Sequence, residues 1–203
     1  MIRLLFVGDG PRDTAIMPAI VSTILAKQVR PDQLEPRVWA RLHDAGRGYD
    51  RKLLFALAQA RADGLAGVVA TVDSDKSGSE RLDKMRTARA TDRARNPPIP
   101  IALGCADPHG EAWLLDDPDA IRAGLNLPVD HVVTSVRKTK NPKSVLEAIM
   151  SSKAGARPLE LMETIALALV PSRCTHKKET GFEAFEREVK VELADCLTLS
   201  IAL

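Results

Sequence analysis

Short apolar runs alternate with longer segments of helical period along the first half of the chain, and that alternation sets the expected fold. Leu4 to Val7 is apolar and closes on Gly8-Asp9-Gly10-Pro11, as a central parallel strand covered on both faces would. A helix is expected next, with Asp13 as its N-cap and Ile16, Ile20, Thr23, Ile24 and Lys27 at helical spacing. Pro18 fits that helix only near its first turn. Arg37 to Leu42 alternates as a second strand, and Asp50 to Asp63 carries Leu53, Leu54, Leu57 and Ala58 on one face before Gly64. Gly67 to Val72, β-branched and uncharged, is the clearest strand and runs directly into Asp73-Ser74-Asp75-Lys76-Ser77-Gly78. Glu80 to Arg95 reads as a polar helix broken by Asn96-Pro97-Pro98, and Ile99 to Cys105 as a fourth strand leading to Asp107-Pro108-His109-Gly110-Glu111. Repeats of this kind imply an α/β fold on a parallel sheet with right-handed crossovers.

Beyond about residue 112 the pattern turns helical, over Ala112 to Leu115, Asp119 to Gly124, Pro142 to Ser152, Leu159 to Leu169 and Phe182 to Leu197. Val132 to Val136 is the one further stretch with a strand-like pattern. The expected organisation is an α/β core over 1–111 and a helical C-terminal portion over 112–203 packed on one side of it, with no low-complexity linker and no internal repeat.

Composition narrows the class. An apolar fraction of 45% and a charged fraction of 28% are those of a folded globular protein and exclude disorder. Aromatics are only 3%, so Leu, Ile, Val and Ala must fill the core and base-stacking platforms are scarce; Trp39 and Trp113, within apolar patterns, read as core. With 29 basic against 27 acidic residues, any nucleic-acid affinity has to come from a local patch. Cys105, Cys174 and Cys196 have neither metal-site spacing nor an even count, and read as buried thiols in a reducing compartment. The apolar N-terminal run is too short for a signal-peptide core and no later run reaches spanning length, so no membrane association and a cytoplasmic location are expected.

The acids change the picture most. In an open parallel sheet the loops at the carboxyl ends of neighbouring strands converge on a crevice where ligands bind. Asp9 leaves the first strand, Asp73 and Asp75 leave the third, and Glu111 follows the fourth, so the four carboxylates are expected to share one edge. Hard oxygen donors of this kind suit Mg²⁺ or Mn²⁺. Each acid also has a plain structural reading: Asp73-Ser74-Asp75 as an Asx-turn and helix cap, Asp9 as a residue favouring unusual backbone between two glycines, Glu111 as a first-turn helix acid.

The stretch Phe6-Val7-Gly8-Asp9-Gly10-Pro11-Arg12-Asp13 resembles the strand-one signature of TOPRIM domains, and Asp73-Ser74-Asp75 resembles their D-x-D. Gly110-Glu111-Ala112-Trp113-Leu114-Leu115-Asp116-Asp117-Pro118 and Asn141-Pro142-Lys143 resemble segments of small stand-alone TOPRIM-like proteins related to the overcoming-lysogenization-defect nucleases. The resemblance implies a Rossmann-like TOPRIM fold that binds Mg²⁺ for phosphodiester cleavage. It places Asp9, Asp73, Asp75 and Glu111 as metal ligands, with Asp9, Glu111 and Lys143 in catalytic roles. Asp9 stands where the family has Glu, one methylene longer, which separates metal binding from activity as two questions. The partners implied are nucleic acid, DNA or RNA, with an ATPase beside the enzyme in defence against phage or foreign DNA; a homodimer is compatible with the pattern.

For substrate contact, the helix after the D-x-D carries Arg81, Lys84, Arg86, Arg89, Arg93 and Arg95, and a second basic stretch holds Arg137, Lys138, Lys140 and Lys143. Either can follow a phosphate backbone or serve as solvated surface. His109 is a candidate acid or base and otherwise a turn residue, whereas Ser77 and Ser79 read as caps. Two other classes fit the acidic pattern: a non-catalytic nucleic-acid-binding or regulatory subunit on the same fold, and a receiver domain phosphorylated at Asp73. The receiver needs a lysine at the exit of the last strand, where Ala106-Asp107-Pro108 stands instead.

Overall fold

The structure is a computed structural model that describes residues 2–74, 79–153, 155–194 and 196. Strands β1 (Leu4–Gly8), β2 (Leu34–Val38), β3 (Gly67–Asp73) and β4 (Ile101–Ala106) form one sheet in the order β2-β1-β3-β4. All of its pairings are parallel, with Leu4 opposite Leu34 and Gly67, and Asp73 opposite Ala106. The chain starts at β1, steps outward to β2, then crosses back to β3 and β4. The change of direction therefore falls between β1 and β3.

Strand alternation divides the core into two layers. Leu5, Val7, Val68, Ala70, Val72, Ile101 and Leu103 face a layer containing Leu53, Ala56 and Leu57 of α2 (Tyr49–Ala62) and Met85 and Ala88 of α3 (Glu80–Arg95). Leu4, Phe6, Val69 and Ala102 face the opposite side, where α1 (Pro11–Ile24) supplies Ile16, Met17 and Ile20. The second half of the chain enters that same layer through α4 (Glu111–Leu115), α5 (Pro118–Gly124), α6 (Pro142–Met150), α7 (Pro158–Ala168) and α8 (Phe182–Glu192). Trp113 of α4 stacks on Phe185 of α8 at 4.9 Å, tilts against Phe182 at 5.4 Å, and donates its indole N–H to the Thr180 carbonyl at 2.6 Å. Phe185 lies so close to Gly104 of β4 that a Cβ there would approach its ring to 2.5 Å. The helical portion thus shares one core with the sheet.

Several expected boundaries shift for identifiable reasons. Asp13 is the third residue of α1 and not its N-cap; Pro11, with its fixed φ, opens the helix after an extended Gly10. Pro18 sits inside α1, beyond the first turn where it was expected. The second strand runs over Leu34–Val38 instead of 37–42, because Trp39 turns inward and donates its indole N–H to the Thr71 carbonyl at 2.8 Å. Pro36 is admissible there because β2 is an edge strand. The fourth strand begins at Ile101 rather than Ile99. Val132 to Val136 forms no strand; a single 3-10 turn, Val136–Lys138, stands at its end. Both tryptophans are buried as expected, while Cys105 is only half-buried beside the buried Cys174 and Cys196. Among the described residues no helix is long and apolar enough to cross a membrane.

Candidate functional site

The site is built where the sheet changes direction, the place at which open α/β sheets bind ligands. Asp9 follows β1 and Asp73 ends β3, and the two strands are hydrogen-bonded neighbours. The Asp73 backbone N–H donates to Asp9 Oδ2 at 2.7 Å, which fixes the Asp9 carboxylate against the exit of β3. Its other oxygen, Oδ1, accepts from the Tyr49 hydroxyl at 3.0 Å. Tyr49 opens α2 after Gly48, whose φ of 104° is a conformation suited to glycine, and its ring packs edge-on against Trp39 at 5.5 Å. Arg81, in the first turn of α3, places its guanidinium 3.8 Å from Asp9 Oδ2 and 5.5 Å over the Tyr49 ring, and donates to the Asp73 carbonyl at 3.2 Å.

Behind this edge lies a third carboxyl. Asp13 Oδ2 accepts from the backbone N–H groups of Asp9, at 2.7 Å, and Gly10, at 3.1 Å, which shapes the turn that presents Asp9. Burial pushes the Asp13 carboxyl up to about 7 and the Asp73 charge adds to the rise, against the two N–H bonds that favour its ionised form. His109 closes the opposite side, its Nδ1 lying 3.2 Å from Asp73 Oδ2. Ser74 bonds Asp107 at 2.8 Å, joining the loops after β3 and β4.

Glu111 is the buried first residue of α4 and its carboxylate accepts from Arg12 at 2.9 Å. Arg12 also reaches Glu147 of α6 at 2.5 Å and by that bond lowers the Glu147 carboxyl, to which Lys143 adds a smaller effect. Glu111 is therefore held in a cross-link between α1, α4 and α6, and its carboxylate already has a cation beside it. Asp75, the remaining expected ligand, lies outside the described residues, as does Ser77.

Of the expected substrate contacts, Arg81 stands in the site itself. Lys84 is paired with Glu80 at 2.6 Å on the exposed face of α3. Arg89 is directed into the fold: it is 14% exposed, bonds Glu188 of α8 at 2.5 Å and donates to the Ile101 carbonyl at 3.0 Å, so it fastens α8 to the sheet. Lys138, Lys140 and Lys143 are exposed around the start of α6.

Sequence reasoning missed Tyr49, Arg12 and the buried charge of Asp13. Tyr49 is the only tyrosine of the chain and stands next to a Gly-Arg-Gly turn, a signal that was available. Nothing local announces the Arg12–Glu111 pair, which spans ninety-nine positions. Thiol chemistry is not offered near the site, because burial pushes Cys105 up to about 11, and the Cys174 thiol to about 12.

As a metal site the arrangement is incomplete but chemically suited. Among the described residues no three His, Cys, Asp or Glu side chains converge closely enough to hold an ion. Mg²⁺ commonly takes only one or two carboxylates, leaving other positions to water and phosphate oxygens. Asp9 and Asp73 offer two carboxylates at neighbouring strand exits, and their charges, which add to the burial-driven rise of Asp13, are ones that a cation would relieve. Comparison with family models, with curated proteins and with solved structures finds no match.

Proposed function

We propose that this chain is a metal-dependent phosphodiester hydrolase of TOPRIM type, using Mg²⁺ or Mn²⁺ to cleave nucleic acid. The observation that carries this reading is the 2.7 Å bond from the Asp73 N–H to Asp9 Oδ2, which joins two acids from adjacent strand exits at the switch point of the sheet. Asp9 and Asp73 would hold the ion, with Asp75, two positions further along the sequence, as a further ligand. When bound, it would polarise the scissile phosphate and lower the pKa of an attacking water.

The protein's own groups divide the remaining work. Tyr49 and the Asp73 N–H fix the orientation of Asp9, and Asp13 sets the backbone from which Asp9 projects. His109, whose Nδ1 lies 3.2 Å from Asp73 Oδ2, would take or deliver a proton at the rim. Lys138, Lys140 and Lys143 form an exposed basic flank for the phosphate backbone, whose contribution would weaken with salt. Defence against phage or foreign DNA beside an ATPase, in the cytoplasm and as a homodimer, is the setting that this chemistry and the resemblance to TOPRIM proteins favour.

A second reading, a non-catalytic binding subunit on the same fold, is favoured by two observations. Both Asp9 oxygens already accept bonds from the protein, and Glu111 is paired with Arg12. Incubation of plasmid DNA and of RNA with the purified protein in Mg²⁺ or Mn²⁺, beside Asp73→Asn, separates the two. Cleavage by the native chain that disappears in the variant supports the hydrolase. Cleavage by neither, with retained nucleic-acid binding, supports the subunit and refutes the hydrolase.

A further inference from the structure

We propose that Arg81 is an internal stand-in for the metal cation, neutralising the Asp9–Asp73 edge when no divalent ion is bound and transferring to a substrate phosphate when one arrives. This inference rests on the metal-dependent reading of the site and adds to it a means of control.

Three contacts place the guanidinium where an incoming cation must compete with it. It lies 3.8 Å from Asp9 Oδ2, donates to the Asp73 carbonyl at 3.2 Å, and covers the face of the Tyr49 ring, whose hydroxyl holds Asp9 Oδ1 at 3.0 Å. The charge thus sits beside the Asp9 carboxylate and on the Asp73 main chain, over a ring that is itself hydrogen-bonded to Asp9. A guanidinium and a divalent ion sharing one carboxylate repel each other, so binding of one lowers the affinity for the other.

The contact with Asp9 is itself a long one. Elsewhere the fold uses an arginine as a fixed fork: Arg61 grips the buried Asp92 with two bonds of 2.8 and 2.7 Å. Arg81 meets Asp9 differently, at a separation beyond hydrogen-bond length, so attraction within that pair is Coulombic rather than a bidentate lock. Its side chain is 26% exposed, at the mouth of the crevice. A guanidinium at that position is matched in shape and charge to the oxygens of a phosphate group.

Titration with Mn²⁺, followed by the loss of the free-ion paramagnetic resonance signal, tests this on the intact chain. Arg81→Gln is expected to bind Mn²⁺ about tenfold more tightly than the native protein. In saturating Mn²⁺ the same variant is expected to bind a fluorescein-labelled single-stranded oligodeoxynucleotide about tenfold more weakly, the effect of one lost charge-assisted contact. Equal or weaker Mn²⁺ binding by the variant overturns the inference while leaving the metal site in place. Absence of Mn²⁺ binding by either protein overturns the hydrolase reading and the inference together. If Arg81→Gln loses its native circular dichroism, Arg81→Lys carries the test: charge without the fork should leave Mn²⁺ affinity within about threefold of native and still weaken oligonucleotide binding, and any larger change in Mn²⁺ affinity overturns the inference.

Discussion

Replacing Asp13 by Asn probes the electrostatics of the site through folding stability alone. The amide keeps an oxygen that can accept from the Asp9 and Gly10 N–H groups but removes a charge that is 6% exposed and close to Asp73. Because the Asp13 carboxyl rises from its ordinary 3.8 to about 7 on folding, the folded state holds the proton more tightly than the unfolded chain. Its stabilising contribution is therefore complete below pH 3.8 and is lost as the pH climbs through 7. At about 1.4 kcal/mol per pH unit, the interval between those values corresponds to a loss of about 4 kcal/mol by pH 8. Asn behaves as the neutral form at every pH. Urea unfolding in EDTA should thus find Asp13→Asn about 2–4 kcal/mol more stable than the native chain at pH 8, with the gain vanishing near pH 4. Added Mg²⁺ should stabilise the native protein more than the variant, since the ion relieves the charge that Asn no longer has. A variant no more stable than native at pH 8 would refute the account of Asp13 as a strained buried acid.

Two further substitutions test the supports of the site. Arg12→Ala leaves Glu111, with a side chain only 6% exposed, without its cation, and should cost about 2–3 kcal/mol by urea unfolding. Much of that loss should return in the Arg12→Ala/Glu111→Ala double variant, and additive losses would show that the pair is not coupled. Gly181→Ala places a Cβ 2.2 Å from the Cys105 carbonyl oxygen at a residue with φ of +78°, and should lower stability by more than about 2 kcal/mol. An unchanged melting temperature would mean that the chain after Thr180 takes another path.

The parallel sheet was legible in the sequence because its strands carry their own punctuation. Gly67 to Val72 is uncharged throughout and ends on an acid, and α3 begins at Glu80 and ends at Arg95 as its polar period and the following Asn-Pro-Pro break dictate. The second strand was less legible, since its place depends on Trp39 finding the Thr71 carbonyl across the sheet. The same limit applies to the site. That Asp9 and Asp73 come together follows from strand exits and topology, which local pattern encodes. The partners of Asp9 come from elsewhere, Tyr49 from the start of α2 and Arg81 from the start of α3, and Glu111 is likewise taken by the distant Arg12. Arg89 shows the converse, because a basic helix face reads as a binding surface until α8 arrives with Glu188 and Glu192 to cover it.

The Thr180 carbonyl accepts both the Trp113 indole N–H and the Asp107 backbone N–H, the latter at 3.0 Å. One oxygen from the last third of the chain therefore fastens the loop that carries His109 to the aromatic stack beneath it. Sequence change around residues 176–185 can therefore shift the loop that holds His109 against Asp73 through one main-chain acceptor, so drift in this outlying segment reaches the strand exits.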